Sequence, residues 1–102
     1  MSKRDFQIIR LLFRLQDPIY YADNKWLIFV SEQLYNWIMQ YPEDSYRFFT
    51  TYLKWPEGWE LIRKNSDSTL QSLEIIKNKL NEIKEINNKI GGYLGDKYTE
   101  RG

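Results

Sequence analysis

Neither cysteine nor histidine occurs anywhere in this chain. Without thiols there are no disulfides and no thiolate metal sites, so nothing in the sequence points to secretion. Without imidazole, the commonest general base, the usual zinc nitrogen ligand and the Ser-His and Cys-His nucleophile pairs are excluded, and most hydrolase templates go with them. Carboxylate chemistry remains open in principle, the nearest pairs being Glu43-Asp44 and Glu57 with Glu60. Both pairs follow a proline closely. First-turn helix positions favour acids there, because the leading amides are unpaired and that end of the helix dipole is positive. They read as solvated helix starts, and the expectation is a non-enzymatic chain with no catalytic residue, no metal site and no cofactor.

Alanine is nearly missing as well: Ala22 stands alone against eleven Ile, eleven Leu, nine Lys and seven Asn. That bias follows AT-rich codons more naturally than any structural need, and hints at a virus, plasmid, organelle or low-GC microbe as the source. Long hydrophobic runs are missing too. Arg10 and Arg14 interrupt the apolar stretch 8–15, far short of the roughly 20 residues of a membrane span, and Met-Ser-Lys-Arg-Asp leads to no small-residue cleavage site. The expectation is an intracellular, soluble chain, cytoplasmic or organellar, with no membrane insertion. Nor does one sign of charge dominate, since 15 Lys and Arg face 14 Asp and Glu. By segment the balance is +2 for residues 1–30, −1 for 31–65 and zero for 66–102.

What the chain has is apolar and aromatic bulk, 42% and 17% of its 102 residues, enough for one domain with one core. The pattern predicts a mainly α fold of four to five helices, one short β-hairpin near residues 19–30 and a long C-terminal helix. Residues 3–16 place Phe6, Ile9 and Phe13 on one face with Ile8, Leu12 and Leu15 beside it, leaving Lys3, Gln7, Arg10 and Arg14 as a narrow polar stripe. Asp17-Pro18 ends that helix. In "PIYYADNKWLIFV" two β-rich runs flank Asp23-Asn24, residues that tolerate a tight hairpin turn. Ser31 can cap a helix over about 31–41. Pro42 and Pro56 open helices over about 43–54 and 56–64, although the β-propensity of "RFFTTYL" leaves a strand open as the alternative for 46–53. The last helix runs over about 67–90 to a Gly91-Gly92 stop. The domain is then 1–92, with 93–102 a tail.

Three groups of residues are candidate sites. The first is aromatic: thirteen of the seventeen aromatics fall in residues 20–59, more than one small core needs, so Tyr20, Tyr21, Trp26, Trp55 and Trp59 are expected partner-binding residues. The second is a seam with Leu73, Leu80 and Asn87 at a positions and Ile76, Ile83 and Ile90 at d positions of three heptads. Self-pairing would oppose lysines at Lys77, Lys79 and Lys84. Packing on its own domain therefore ranks first, an acidic partner second, and a homodimer third. The third group is Arg47, Thr50, Thr51 and Lys54, the polar face of the second member of a helix-turn-helix-like pair over 31–54. Glu43, Asp44, Glu57 and Glu60 lie close by and would repel phosphates. "GGYLGDKY" echoes a phosphate loop but follows a helix and lacks the Ser or Thr after its Lys, so it reads as a cap and an end. The ranked expectation is a protein–protein interaction module (adaptor, inhibitor or assembly subunit) ahead of a small DNA-binding regulator. Nucleic acid is the less favoured partner.

Overall fold

A computed structural model describes residues 3–89, with side chains described over 3–83. The chain runs through α1 (Lys3–Phe13), a 3-10 turn at Arg14–Gln16, α2 (Pro18–Tyr21), α3 (Asn24–Gln40), α4 (Pro42–Thr51), α5 (Pro56–Lys64) and α6 (Asp67–Lys89). Among the described residues there is no strand. Helix α3 sits at the centre, packing on α1, α4, α5 and α6.

The hairpin expected near 19–30 is replaced by α2 and the first two turns of α3, and two aspartates account for the difference. Asp17 accepts a hydrogen bond from the Ile19 amide at 2.9 Å, and Asp23 accepts from the amides of Lys25 and Trp26 at 3.0 and 3.3 Å. Each carboxylate thereby satisfies first-turn donors of the helix that follows it. What reads locally as turn chemistry is N-cap chemistry. The helix expected over 31–41 consequently begins at Asn24, and Ser31, expected as a cap, lies inside it with its hydroxyl donating back to the Ile28 carbonyl. Tertiary packing overrides the β-propensity of "WLIFV", because Val30, Leu34, Trp37 and Ile38 fall on one helical face and all four are buried.

Elsewhere the helix-start reading agrees with the structure. Pro42 and Pro56 open α4 and α5, and residues 46–51 are helical rather than extended. Asn65 accepts a hydrogen bond from the Asp67 amide where α6 begins. The core joins Leu12 and Leu15 to α3's buried face, to Phe48, Phe49 and Leu53, to Trp59 and Ile62, and to Leu73, Ile76 and Leu80 of α6. The upper part of the heptad seam is thus internal. The Gly91-Gly92 stop, Ile90 and the 93–102 tail lie outside the described residues, as do the side chains of Lys84 and Asn87. No helix among the described residues is long and apolar enough to cross a membrane.

Two buried polar contacts tie the helices together. Trp37 donates its indole N–H to Oδ1 of the buried Asp5 at 2.6 Å, linking α3 to α1. Trp59 donates to Oγ of Ser45 at 2.9 Å, and that hydroxyl in turn donates to the Tyr41 carbonyl, linking α5 to the start of α4.

Candidate functional site

The two aspartate caps bracket α2, a single turn between α1 and α3: Asp17 opens it and Asp23 opens the helix that follows. That turn pushes its apolar side chains outward. Ile19 is 79% exposed, the largest figure for any large apolar residue among the described ones, and Tyr20 beside it is 37% exposed. The Tyr20 ring lies 5.1 Å from Trp26, and the Arg14 guanidinium sits 5.7 Å from the centre of the same ring. Ile19, Tyr20, Trp26 and Arg14 thus form one corner, apolar at the tip and cationic at the flank.

Arg14 also borders a groove of about 290 Å³ between α1 and α3, walled by Arg4, Arg10, Leu11 and Phe29. No acid lines it. Among the described residues the one ion pair is Arg47 with Asp44 at 3.8 Å, so Arg4, Arg10 and Arg14 have no carboxylate partner there. Arg10 instead sits 5.9 Å from the centre of the Phe6 ring, and Nε of Arg4 is shielded from solvent without a hydrogen bond. Three of the five basic residues in the first thirty, Arg4, Arg10 and Arg14, line this groove.

The remaining expected residues fall elsewhere. Tyr21 is half-buried under α6, with Nζ of Lys77 at 4.0 Å from its ring centre. Burial holds its hydroxyl above the ordinary tyrosine value, and the nearby Glu74 charge adds to that shift. Trp55 lies half-buried over Gly58, with its ring 6.4 Å from Phe49. Trp59 is only 7% exposed and its N–H is bonded to Ser45, which makes it a core residue. Leu73, Ile76 and Leu80 are buried, and Ile83 is partly buried.

On the polar face of α4, Arg47 and Thr51 are exposed, but Arg47 faces its own Asp44 and the Thr50 hydroxyl donates to the Tyr46 carbonyl at 2.9 Å. Lys54 is exposed just beyond the helix with φ 54. A cavity of about 130 Å³ lies behind this face, bounded by Asp5, Trp37, Asp44, Arg47, Phe48 and Tyr52. Among the described residues no three of His, Cys, Asp and Glu gather as a metal site would require. Comparison of the chain with family models, with curated proteins and with solved structures gave no match.

The basic groove was hidden in the sequence because Arg10 and Arg14 read as part of one narrow polar stripe on a nearly buried helix, and Arg4 lies outside that stripe. One signal was available. Arg10 and Arg14 are spaced four apart, and the only acid on α1, Asp5, is not three or four residues from either.

Proposed function

We propose that this chain is a non-enzymatic docking protein that binds a larger protein partner through the α2 corner. The observation that carries this reading is the exposed pair Ile19 and Tyr20, carried on a turn bracketed by aspartate caps, with Arg14 against the tyrosine ring. Tyrosine and arginine are enriched among the residues that dominate binding energy, and a preformed turn loses little freedom on association. Ile19 supplies apolar area that its own domain leaves uncovered. The role is that of an adaptor, inhibitor or assembly subunit, whose partner has an apolar pocket bordered by acid.

The reading is tested by placing a photo-crosslinking amino acid at Ile19 in the organism that makes the chain, with Gln71 on the exposed side of α6 as control. A discrete protein adduct at position 19, absent at 71 and lost with Arg14→Glu, supports the corner. Equal labelling at both positions sinks it.

The second reading, DNA binding through α3 and α4, is supported by the close junction at Tyr41 and by the exposure of Arg47, Thr51 and Lys54. It ranks below docking because Asp44 and Glu43 share that helix end and the Thr50 hydroxyl is engaged with the backbone. Sequence-dependent gel shifts abolished by Arg47→Ala would reverse the order.

A further inference from the structure

Helix α3 is central, yet one of its faces is bare. Lys25, Ile28, Phe29 and Glu32 follow the i, i+3, i+4, i+7 spacing of a single helix face, and all four are exposed, Ile28 by 48% and Phe29 by 46%. This ridge stands between two depressions. On the α1 side lies the arginine groove that Phe29 borders; on the α6 side Ile28 and Glu32 border a second hollow with Leu70, which is itself 46% exposed. An apolar pair on a ridge flanked by hollows is the geometry in which helices interdigitate.

We propose that a second copy of this chain packs on that ridge, with the two α3 helices antiparallel about a two-fold axis crossing between residues 28 and 29. The ridge is complementary to itself in that one register. Lys25 of each copy falls level with Glu32 of the other, so both ends of the contact are closed by opposite charges, about 10 Å apart along the helix at 1.5 Å per residue. By the 100° turn per residue, Lys25 and Glu32 lie on the crest, while Phe29 leans to the α1 side and Ile28 to the α6 side. Phe29 then meets its counterpart over the arginine groove, and Ile28 meets its counterpart near Leu70. A two-fold contact of this kind closes on itself and stops at two copies.

The opposing term is on the α1 side, where Arg4, Arg10 and Arg14 of both copies border the contact. Arg14 is exposed and Arg4 and Arg10 are partly buried, so at about 0.15 M salt, where the screening length is about 8 Å, the repulsion is weakened where these groups lie farther apart than that, whereas the crest pairs meet directly. A parallel arrangement lacks this balance, because it sets Lys25 against Lys25 and Glu32 against Glu32. The α6 seam gives no competing dimer through Leu73, Ile76 and Leu80, which are already buried in their own domain.

The experiment is sedimentation equilibrium of the full chain across a concentration series near physiological salt, with circular dichroism on every variant. The mass is expected to rise from 12.5 kDa toward twice that value. Lys25→Glu and Glu32→Lys, each of which opposes like charges twice, should each raise the midpoint concentration by roughly tenfold or more. The double variant carrying both changes restores the opposite pairing and should return the midpoint toward that of the unchanged chain. Phe29→Asp, at an exposed position that the fold tolerates, should leave a folded monomer. A chain that stays at 12.5 kDa throughout overturns the proposal. So does a dimer indifferent to the single swaps, or one that the double swap fails to restore.

Discussion

A methyl group added at Gly58 would overlap one edge of the six-membered ring of Trp55, closer than Cβ atoms ordinarily approach a neighbour. Within an ordinary helix Gly→Ala gains about 1 kcal/mol from backbone entropy. Here Gly58→Ala forces the indole off Phe49, and overpacking of that kind costs about 1–3 kcal/mol. The expected net effect is a lower midpoint in urea; a higher one would mean that Trp55 does not lie over this glycine. Trp37→Phe makes a different demand, because it takes one donor from a buried carboxylate as well as removing ring volume. We expect it to lose about 2–4 kcal/mol, more than a ring truncation without the hydrogen bond. Tyr21 gives the pH dependence. Its folded value lies above the unfolded one near 10, so the protonated phenol contributes stability that is complete below about pH 10 and is lost as pH rises through the folded value. In ultraviolet titration of the native chain, Tyr21→Phe should delete a late-ionising component and leave the profile below pH 9 unchanged.

At the scale of the element, α6 shows how far a pattern can be read. The apolar spacing of Leu73, Ile76 and Leu80, with lysines on its flanks, predicted packing on the parent domain, and these three residues are in the core. Leu80→Asp therefore buries an unpaired carboxylate, a penalty of several kcal/mol that matches the whole stability of a domain this size. Ile83 is only partly buried, so Ile83→Asp should cost less. Thermal denaturation of the two variants would test this order, and equal losses would place Ile83 in the core proper. The same periodic logic missed α2 and the start of α3. Asp17, Asp23 and Asn24 suit both a hairpin turn and an N-cap, and nothing local decides between them. The decision comes from Val30 and Leu34 in contact with distant helices. Lys54 is a smaller case. A left-handed φ costs a side-chain-bearing residue about 1–2 kcal/mol, so Lys54→Gly should stabilise the fold slightly, and the loss of its charge would matter only if α4 reads DNA.

For the molecule as a whole, the composition ruled out thiolate and imidazole chemistry, but it did not disclose where the exposed surface lies. Of the five aromatics expected at an interface, Tyr20 stands out from the fold and Trp59 belongs to the core, although both types look alike in a sequence with so little alanine. The arginine groove and the α3 ridge depend on which helices are neighbours, and the local pattern near residues 19–30 points to a hairpin instead of helix. Heating the chain with magnesium, manganese or zinc should leave its midpoint unchanged, since no three candidate ligands converge among the described residues. A large shift at micromolar metal would reinstate carboxylate chemistry. The four tryptophans have a further use, because they divide into two classes by environment. Trp37 and Trp59 are buried with bonded N–H groups, whereas Trp26 and Trp55 lie near solvent, Trp55 with a lysine 5.9 Å from its ring centre and Trp26 beside Tyr20. Their emission is a pair of built-in reporters. Iodide should quench the second class first, and a chain keeping only Trp26 would report by colour and intensity when the α2 corner is covered, while one keeping only Trp37 would report when the core opens.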